Sequence, residues 1–215
     1  RFFRSMGSPL LERLTRWNAL FFDDLETLVA PLGAGAIDRL RYLRGEAAWL
    51  DGRSPLSQVL HANFSSYLPD DLLVKTDRCT MANSLEARAP FLDRELVEYV
   101  AALPDAYKLD GRRTKAVLRD AFADLLPPSI NQRGKMGFGV PLGSWFRGDL
   151  RDYVRDLLLA PDARYRETLS GPYVERLVAQ HLDGSSNVAA QLWTVLCYEQ
   201  WLRLLPAWTR GTVPA

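Results

Sequence analysis

Positive charge in this 215-residue chain is concentrated around one glycine-rich segment, Pro127 to Trp145. Between Asp105 and Arg147 there are eight basic and four acidic residues, a net charge of +4, whereas the whole chain carries +1. Its glycine spacing matches neither the phosphate-binding loop that ends in Gly-Lys-Ser/Thr nor the dinucleotide fingerprint. Compact domains usually keep a loop of this length for function. The segment is therefore a candidate for a local anion site of another kind.

Two further charged clusters could contribute to such a site. Arg112, Arg113 and Lys115 stand at the start of a predicted helix, where the helix dipole disfavours cations unless an anion binds there. Solvated surface charge is the alternative, and it stays open. The cluster Lys75-Thr76-Asp77-Arg78 is expected one or two helical turns before Glu86-Ala87-Arg88. Because structural ion pairs are as common as catalytic ones, neither cluster identifies a chemistry alone.

Helical periodicity predicts the elements that carry these residues, and no strand pattern is found. An apolar stripe from Leu150 to Leu158 predicts one helix, and Gly171-Pro172 and Gly184 bracket another that contains His181 as a packing residue. Asp93 is expected to cap a helix that runs through Ala101. This N-cap is the plainest structural role for the residue. Another helix is expected to begin at Pro69-Asp70-Asp71.

Three further expectations concern the two ends and the middle of the chain. The N-terminal third, Pro9 to Leu50, predicts two or three helices. A stripe from Val117 to Leu125 predicts a helix that stops at Pro127-Pro128. The last helix carries two apolar stripes, so it is expected to be surrounded by protein, with Cys197 as an inert core thiol.

Composition excludes several classes of protein. With 47% hydrophobic and 25% charged residues, the chain is neither disordered nor fibrous, and its net charge is too small for a surface committed to nucleic acid or membrane. It has no apolar run long enough to span a bilayer. Cys79, Cys197, His61 and His181 are placed singly, which excludes a disulfide framework and zinc-ligand spacing. A mainly α protein of a reducing, cytoplasmic compartment is expected.

Several blocks together resemble one family. They are Tyr-Leu-Pro-Asp-Asp-Leu-Leu-Val-Lys-Thr-Asp-Arg at 67–78, Met-Ala-Asn-Ser-Leu-Glu-Ala-Arg-Ala-Pro-Phe-Leu-Asp at 81–93, Thr-Lys-Ala-Val-Leu-Arg at 114–119 and Arg-Gly-Lys-Met-Gly-Phe-Gly-Val-Pro at 133–141. In order and spacing they resemble the synthetase domain of the glutamine-hydrolysing, class B asparagine synthetases. The resemblance is specific over roughly residues 60 to 150 and general elsewhere.

The resemblance implies a fold and a place within it. Residues 1–215 are expected to form the helical C-terminal portion of an α/β, adenine-nucleotide alpha-hydrolase-like ATP-pyrophosphatase domain, with the parallel sheet largely outside this chain. The family's nucleophilic cysteine, its Ser-Gly-Gly-x-Asp-Ser pyrophosphate loop and its Ser-Gly-x-Gly-x-Asp-Glu stretch are not found. The chain is therefore expected to be a fragment, inactive alone, with a large apolar face exposed.

The function implied is the ATP-dependent adenylation of the aspartate side chain, followed by attack of glutamine-derived ammonia to give asparagine, AMP and pyrophosphate. ATP with Mg²⁺ is the implied cofactor, with metal ligands outside this chain. Aspartate and ammonia are the partners, without nucleic acid or membrane, and a homodimer is a candidate form of the full-length protein. The alternatives are a related amidotransferase, a β-lactam or peptide-cyclising synthetase, and a non-catalytic helical binding module.

By the same resemblance, Lys135 is the catalytic residue that reaches the departing pyrophosphate. A compact ammonium suits this role because negative charge grows on the leaving group during adenylation. Glu86 occupies a position that orients a tyrosine in the related β-lactam-forming enzymes, and here an ion pair with Arg88 or another nearby cation is expected in preference to proton transfer. Asp77 and Arg78 are expected to hold the acceptor pocket or to pair with each other. Lys115 is a binding or structural candidate.

Overall fold

A computed structural model describes residues 6–33, 35, 37, 50–131, 133–134 and 139–209. This part of the chain is mainly helical, as the sequence predicts. The α-helices in chain order are α1 Leu10–Asn18, α2 Leu25–Leu28, α3 Pro55–Ser65, α4 Val74–Met81, α5 Arg94–Ala102, α6 Asp105–Lys108, α7 Ala116–Ala121, α8 Pro128–Asn131, α9 Leu142–Arg147, α10 Arg151–Leu158, α11 Gly171–Leu182 and α12 Ala189–Thr209.

Shorter elements stand between these helices. There are 3-10 helices at Ala30–Leu32, Pro90–Leu92 and Arg164–Glu167, and a π-helix at Leu68–Leu73. Strands β1 (Leu109–Asp110) and β2 (Arg113–Thr114) pair antiparallel, with Asp110 opposite Arg113. The chain divides into two compact units: Arg1–Met6, Thr15–Arg39 and Phe138–Ala215 form the first, and Gly7–Leu14 and Leu40–Gly137 form the second.

The first unit is built on one apolar core. Its buried side chains come from α2 and from the helices that follow residue 141. The predicted stripe of α10 is confirmed, since Val154, Leu157 and Leu158 are buried. Helix α11 begins at Gly171 and ends before Gly184, whose φ of +82° lies in the left-handed region that glycine tolerates. Both predicted boundaries of this helix are confirmed.

The last helix, α12, corrects one expectation. Its first stripe is buried, with Val188, Leu192, Val195 and Leu196 in the core. Its second stripe is not: Trp193 is 49% exposed, Trp201 is 43% exposed, and Cys197 is an exposed free thiol. The prediction of a helix surrounded by protein, and of Cys197 as a core thiol, was therefore wrong. The elements of the first unit cover one face of α12, and a stripe about 100° or more away on the helix surface faces outward.

In the second unit, few of the described apolar side chains are buried. Those that are buried are Leu50, Ala62 and Ala116. Its exposed large apolar side chains include Leu60, Phe64, Tyr67, Met81, Leu85, Phe91, Tyr99, Tyr107, Leu125 and Ile130. A continuous apolar face on this fragment stays a prediction from the sequence.

Helix starts in the second unit follow local sequence signals. Asp93 caps α5 as predicted, because its Oδ1 accepts a hydrogen bond of 3.1 Å from the backbone N–H of Leu96. The helix expected at Pro69 is present, but it begins as the π-helix Leu68–Leu73 before continuing as α4. The sequence did not predict that this first turn has the i→i+5 hydrogen-bond pattern of a π-helix.

Three local expectations in this region were wrong. Leu109-Asp110-Gly111-Arg112-Arg113-Thr114 forms a hairpin, in which Gly111 has a φ of +57° as the first turn residue of a type II′ turn requires. Helix α7 ends at Ala121, so Phe122 and Leu125 lie beyond it and are exposed. The segment Pro127 to Trp145 is not free of helix, because α8 lies within it and α9 begins at Leu142.

Candidate functional site

Lys135, the predicted catalytic residue, lies outside the described residues, as do Met136, Gly137 and Phe138. On either side of this gap, Arg133, Gly134, Gly139 and Val140 are exposed. The role of Lys135 therefore stays a prediction from the sequence.

Glu86 and Arg88 form the ion pair that the sequence predicts. The Arg88 Nη2 lies 2.8 Å from the Glu86 Oε1, and the two side chains are 81% and 69% exposed. Residues 85–89 lie outside any helix or strand, between the end of α4 and the 3-10 helix Pro90–Leu92. An exposed pair of this kind contributes little to stability, at most about 1 kcal/mol.

A left-handed residue turns the chain into this segment. Ser84 has a φ of +57°, its backbone N–H donates to the Met81 carbonyl, and the Leu85 N–H donates to the Thr80 carbonyl, both at 3.0 Å. These two bonds form a Schellman ending for α4, a position at which glycine is the usual residue. Glu86 therefore does not continue the helix that carries Lys75 to Arg78, and the expected separation in helical turns was wrong.

The acidic and basic residues of α4 are arranged differently from the expectation. Lys75 Nζ lies 3.4 Å from Asp71 Oδ1, one helical turn earlier. Asp77 and Arg78 are exposed and form no ion pair with each other. Successive residues on a helix point about 100° apart, so adjacent side chains do not face each other. The expected pairing of Asp77 with Arg78 was therefore wrong. Their other expected role, to hold the acceptor pocket, remains a prediction.

The cluster Arg112, Arg113 and Lys115 does not occupy a first helical turn. Arg112 and Arg113 belong to the hairpin, and Arg113 donates to both carboxylate oxygens of Asp120, at 2.7 and 2.6 Å. This hydrogen-bonded pairing lowers the pKa of Asp120 and raises that of Arg113. The positive charge of Arg113 is therefore neutralised within the second unit by Asp120. Asp120 was missed from the sequence, because it lies seven residues from its partner, on the helix that follows the hairpin.

Lys115 occupies an unusual backbone conformation. It is the N-cap of α7, with φ +58° and ψ +40°, in the left-handed region. Its side chain is exposed, and no ion pair of this ammonium is found among the described residues. A non-glycine residue held in this conformation costs of order 1 kcal/mol, and such residues cluster at functional sites. Among the described residues, Lys115 and Arg112 are therefore the members of the cluster that stay available to an anion.

The described residues do not assemble a metal site. Within residues 6–33, 35, 37, 50–131, 133–134 and 139–209, no group of three or more His, Cys, Asp or Glu residues could hold a metal ion. Across the same ranges, no helix is both long enough and apolar enough to cross a membrane.

Comparison with known proteins identifies the family of the chain. The family model described as asparagine synthase matches residues 5–203. A putative glutamine-hydrolysing asparagine synthetase of Mycobacterium bovis is 35% identical over 151 residues, and asparagine synthetase 1 of Bacillus subtilis is 30% identical over 148 residues. The asparagine synthetase of Bos taurus is 29% identical over 159 residues.

These alignments cover most of this chain but a small part of each relative. They include 70%, 69% and 66% of this chain, and 23%, 23% and 26% of the respective relatives. The chain thus spans about a quarter of the length of the curated relatives it matches. No solved structure shows a significant match. Because the family model covers residues 5–203, well over half of the sequence, the chain belongs to the asparagine synthase family.

Proposed function

We propose that this chain is the helical C-terminal part of a glutamine-dependent asparagine synthetase, an ATP-dependent carbon–nitrogen ligase of the cytoplasm. The observation that carries the proposal is the family match over residues 5–203, which includes all four motif blocks between Tyr67 and Pro141. The printed names of the three relatives, all asparagine synthetases, agree with it.

The proposed reaction has two steps. A side-chain carboxylate oxygen of aspartate attacks the α-phosphorus of ATP, and the bond to the bridging oxygen breaks to release pyrophosphate. Ammonia from glutamine then attacks the carbonyl carbon of the acyl adenylate, AMP leaves, and a proton passes to solvent. The first step gathers negative charge on the leaving pyrophosphate, which a fixed cation stabilises. Lys135 is the proposed cation.

Three described features support this assignment. Asp120 neutralises Arg113, while Arg112 and Lys115 are exposed and form no ion pair with another described residue. The Glu86–Arg88 pair is exposed, and it is free to meet another part of the protein or the substrate. Asp77 and Arg78 are exposed on α4 and are the proposed residues of the acceptor side.

Mg²⁺ is part of the proposed reaction, and among the described residues no group of three or more His, Cys, Asp or Glu side chains could hold a metal ion. The proposal places the metal ligands, the pyrophosphate loop and the ammonia-releasing cysteine in other parts of the full-length protein.

The test uses the full-length protein with aspartate labelled with ¹⁸O in its side-chain carboxylate, ATP, Mg²⁺ and either ammonia or glutamine. Adenylation transfers one labelled oxygen to the phosphate of AMP, which mass spectrometry detects. We expect equal amounts of asparagine, labelled AMP and pyrophosphate. Release of unlabelled AMP, or formation of ADP, would contradict the proposal.

A panel of acceptors tests the choice of substrate. Glutamate and carboxylates that can cyclise onto their own amines are offered in place of aspartate. Preference for one of them over aspartate in kcat/KM would show an amidotransferase or cyclising enzyme instead. Lack of turnover with every acceptor would favour the binding-module alternative.

A further inference from the structure

Helix α12 turns its charged side chains towards the core of the first unit. The charged residues between Ala189 and Pro206 are Glu199 and Arg203. The Glu199 side chain is fully buried, and the half-buried Arg203 donates to it from Nε at 2.6 Å. A surface helix ordinarily presents its charged residues to water and its apolar stripe to the core. The outward face of α12 therefore lacks the charge that a solvated helix face normally carries.

The outward face of α12 is a stripe of uncharged side chains, called the outer stripe from here on. Its members are exposed and lie within about 60° of Cys197 on the helix surface, at about 100° per residue. They are Ala190, Trp193, Thr194, Cys197, Trp201 and Leu204. Two of them are indoles that are nearly half exposed, Trp193 and Trp201. Contiguous exposed aromatic surface of this kind marks an interaction site more often than a solvated face.

The outer stripe has the same spacing in both directions from Cys197. Trp193 and Trp201 stand four residues before and after it, and Ala190 and Leu204 stand seven residues before and after it. In an antiparallel helix pair whose two-fold axis passes beside Cys197, each residue meets the residue that stands equally far on the other side of that axis. Trp193 would then lie beside Trp201 of the second copy. The small Ala190 would face the larger Leu204 of the second copy.

Neighbouring side chains of the first unit hold the outer stripe in place. The ring of Trp201 stacks on Tyr198, with centroids 5.9 Å apart and planes at 19°. The Tyr198 hydroxyl lies 2.9 Å from the hydroxyl of Thr168, which precedes α11. On the other side of the stripe, Gln200 Nε2 donates a hydrogen bond of 2.6 Å to the Tyr153 hydroxyl of α10. Because these side chains are already ordered, a partner that binds here causes a smaller loss of side-chain entropy.

We propose that the outer stripe binds a second copy of this chain, through an antiparallel pair of α12 helices with Cys197 at the two-fold axis. The spacing about Cys197 fits a copy of the same helix, because a two-fold interface places the same surface on both partners. A nucleic acid or an anionic membrane would instead require Lys or Arg beside the aromatic side chains, and the outer stripe contains neither.

The size of the surface sets the strength of the dimer. An interface formed by one helix pair buries at most about 1,200 Å², which is typical of weak complexes. We therefore expect a reversible dimer with a Kd in roughly the micromolar range. Assembly of this kind uses no step of the proposed reaction.

The test measures the mass of the full-length protein by sedimentation velocity, without substrates, from roughly 1 to 100 μM. Cys197→Glu and Cys197→Lys each place two like charges face to face at the two-fold axis, and both new residues are good helix formers. Because like charges opposed at an interface repel, the dimer Kd should rise at least about 100-fold in each variant. An equimolar mixture of the two variants places Glu opposite Lys. It should form a heterodimer with a Kd within about tenfold of the wild type.

Two aromatic truncations provide a matched control. Trp201 in the outer stripe and Trp145 on α9 are 43% and 41% exposed. Trp201→Ala should raise the dimer Kd at least about tenfold, because a tryptophan near the centre of an interface is commonly a hot spot. Trp145→Ala, which lies outside the outer stripe, should leave the Kd within about twofold. Circular dichroism confirms that each variant is folded.

A second readout needs no substitution. Helix axes about 10 Å apart bring two facing Cα atoms to roughly 5 Å, a separation that a disulfide spans. Mild oxidation with copper phenanthroline, which accepts two electrons while two protons pass to solvent, should therefore join the Cys197 thiols of two copies. Mass spectrometry of the unreduced digest identifies the linked peptides. The exposed thiol of Cys79 in the second unit is the internal control for random collision.

Several outcomes would overturn the proposed interface. A wild-type protein that stays monomeric over the whole concentration range would do so. A dimer that persists in both Cys197 variants would show that the copies meet at another surface. Dissociation in both variants without recovery in their mixture would show that the outer stripe contacts another part of the chain or a different partner.

Dissociation of each variant with recovery in the mixture would support the interface, and so would a Cys197–Cys197 disulfide. If the two Cys197 variants do not fold, the disulfide in the wild type decides. A yield above that of Cys79 cross-links supports the interface, and an equal or lower yield overturns it. Amide synthesis is assayed separately, so each of these failures would leave the proposed function standing.

Discussion

The carboxylate of Glu199 accepts a hydrogen bond of 2.8 Å from the backbone N–H of Tyr165. The same carboxylate accepts from the N–H of Arg164 at 3.1 Å and from the Nε of Arg203 at 2.6 Å, and it is fully buried. These donors compensate for a charge that would be costly to bury alone. Helix α12 thereby caps the 3-10 helix Arg164–Glu167, which lies 34 residues earlier in sequence.

Glu199→Gln is expected to loosen this cap. The NH₂ group of the new side chain would face N–H donors, from which it cannot accept. The Arg203 guanidinium would also lose its nearest buried counter-charge. Together these changes should destabilise the cap by about 3 kcal/mol. Backbone amide exchange at Arg164 and Tyr165 should therefore accelerate roughly 100-fold. Glu167→Gln, an exposed change on the same 3-10 helix, is the control and should leave both rates nearly unchanged. Equal exchange in the two variants would refute the cap.

The first unit should lose stability in mild acid because of His181. Burial, followed by the charge of Arg147, lowers the pKa of this imidazole below its ordinary 6.5. Between pH 6.5 and the folded pKa, the unfolded chain binds a proton that the folded chain does not, so stability falls as the pH falls. Urea unfolding at pH 7.5 and 5.5 measures this slope. The slope should be smaller in His181→Gln, and identical slopes would show that another group is responsible.

Lys115→Gly is expected to separate stability from activity. Glycine tolerates the left-handed conformation at φ +58°, so the substitution should stabilise the second unit by up to about 1 kcal/mol. If Lys115 binds substrate, amide synthesis should fall at the same time. Ser84→Gly, at φ +57°, is the matched control, with a similar gain in stability and unchanged synthesis. A Lys115→Gly variant that is more stable and fully active would make this lysine structural only.

Glu86→Gln tests the ion-pair role of Glu86. With both partners more than two-thirds exposed, loss of the pair should change the unfolding free energy by less than about 1 kcal/mol. A group that transfers a proton would instead contribute about 10² to 10⁴ to the rate. We expect less than a tenfold fall in kcat and no shift in the pH–rate profile. A larger fall together with a lost limb of that profile would assign Glu86 to proton transfer.

Lys135→Ala tests the central proposal in the full-length protein. Removing a cation that stabilises departing pyrophosphate should cost about 3 to 4 kcal/mol in the transition state, or about 10² to 10³ in ammonia-dependent synthesis. Glutamine hydrolysis should survive, because it uses another part of the protein. The melting temperature should change little.

Lys135→Arg supplies the control for charge alone. A planar guanidinium does not reproduce a compact ammonium at a close phosphate contact, so only partial recovery of synthesis is expected. An unchanged rate of synthesis in Lys135→Ala would show that Lys135 is a solvated surface residue without a role in catalysis.

Local signals in the sequence identified much of the helical architecture. The Asp93 cap, the Gly171 start, the turn at Gly184 and the buried stripe of α10 are each set by residues within a few positions of one another. Their physics is local, since a cap, a left-handed glycine and a 3.6-residue stripe act on neighbouring backbone. Gly111, at the first central position of the turn, carried a hairpin signal of the same kind, which the helical periodicity of its surroundings obscured.

The sequence by itself therefore determined the family motifs, the order of those blocks and the boundaries of α5, α10 and α11. Only the tertiary structure decided which stripe of α12 is covered, so that Leu192 is buried and Trp193 exposed. It also decided the backbone partners of Glu199 and of the His181 ring, which lie 34 to 38 residues away. Such pairings depend on how helices pack, and a periodic pattern states that a face is apolar without stating what lies against it.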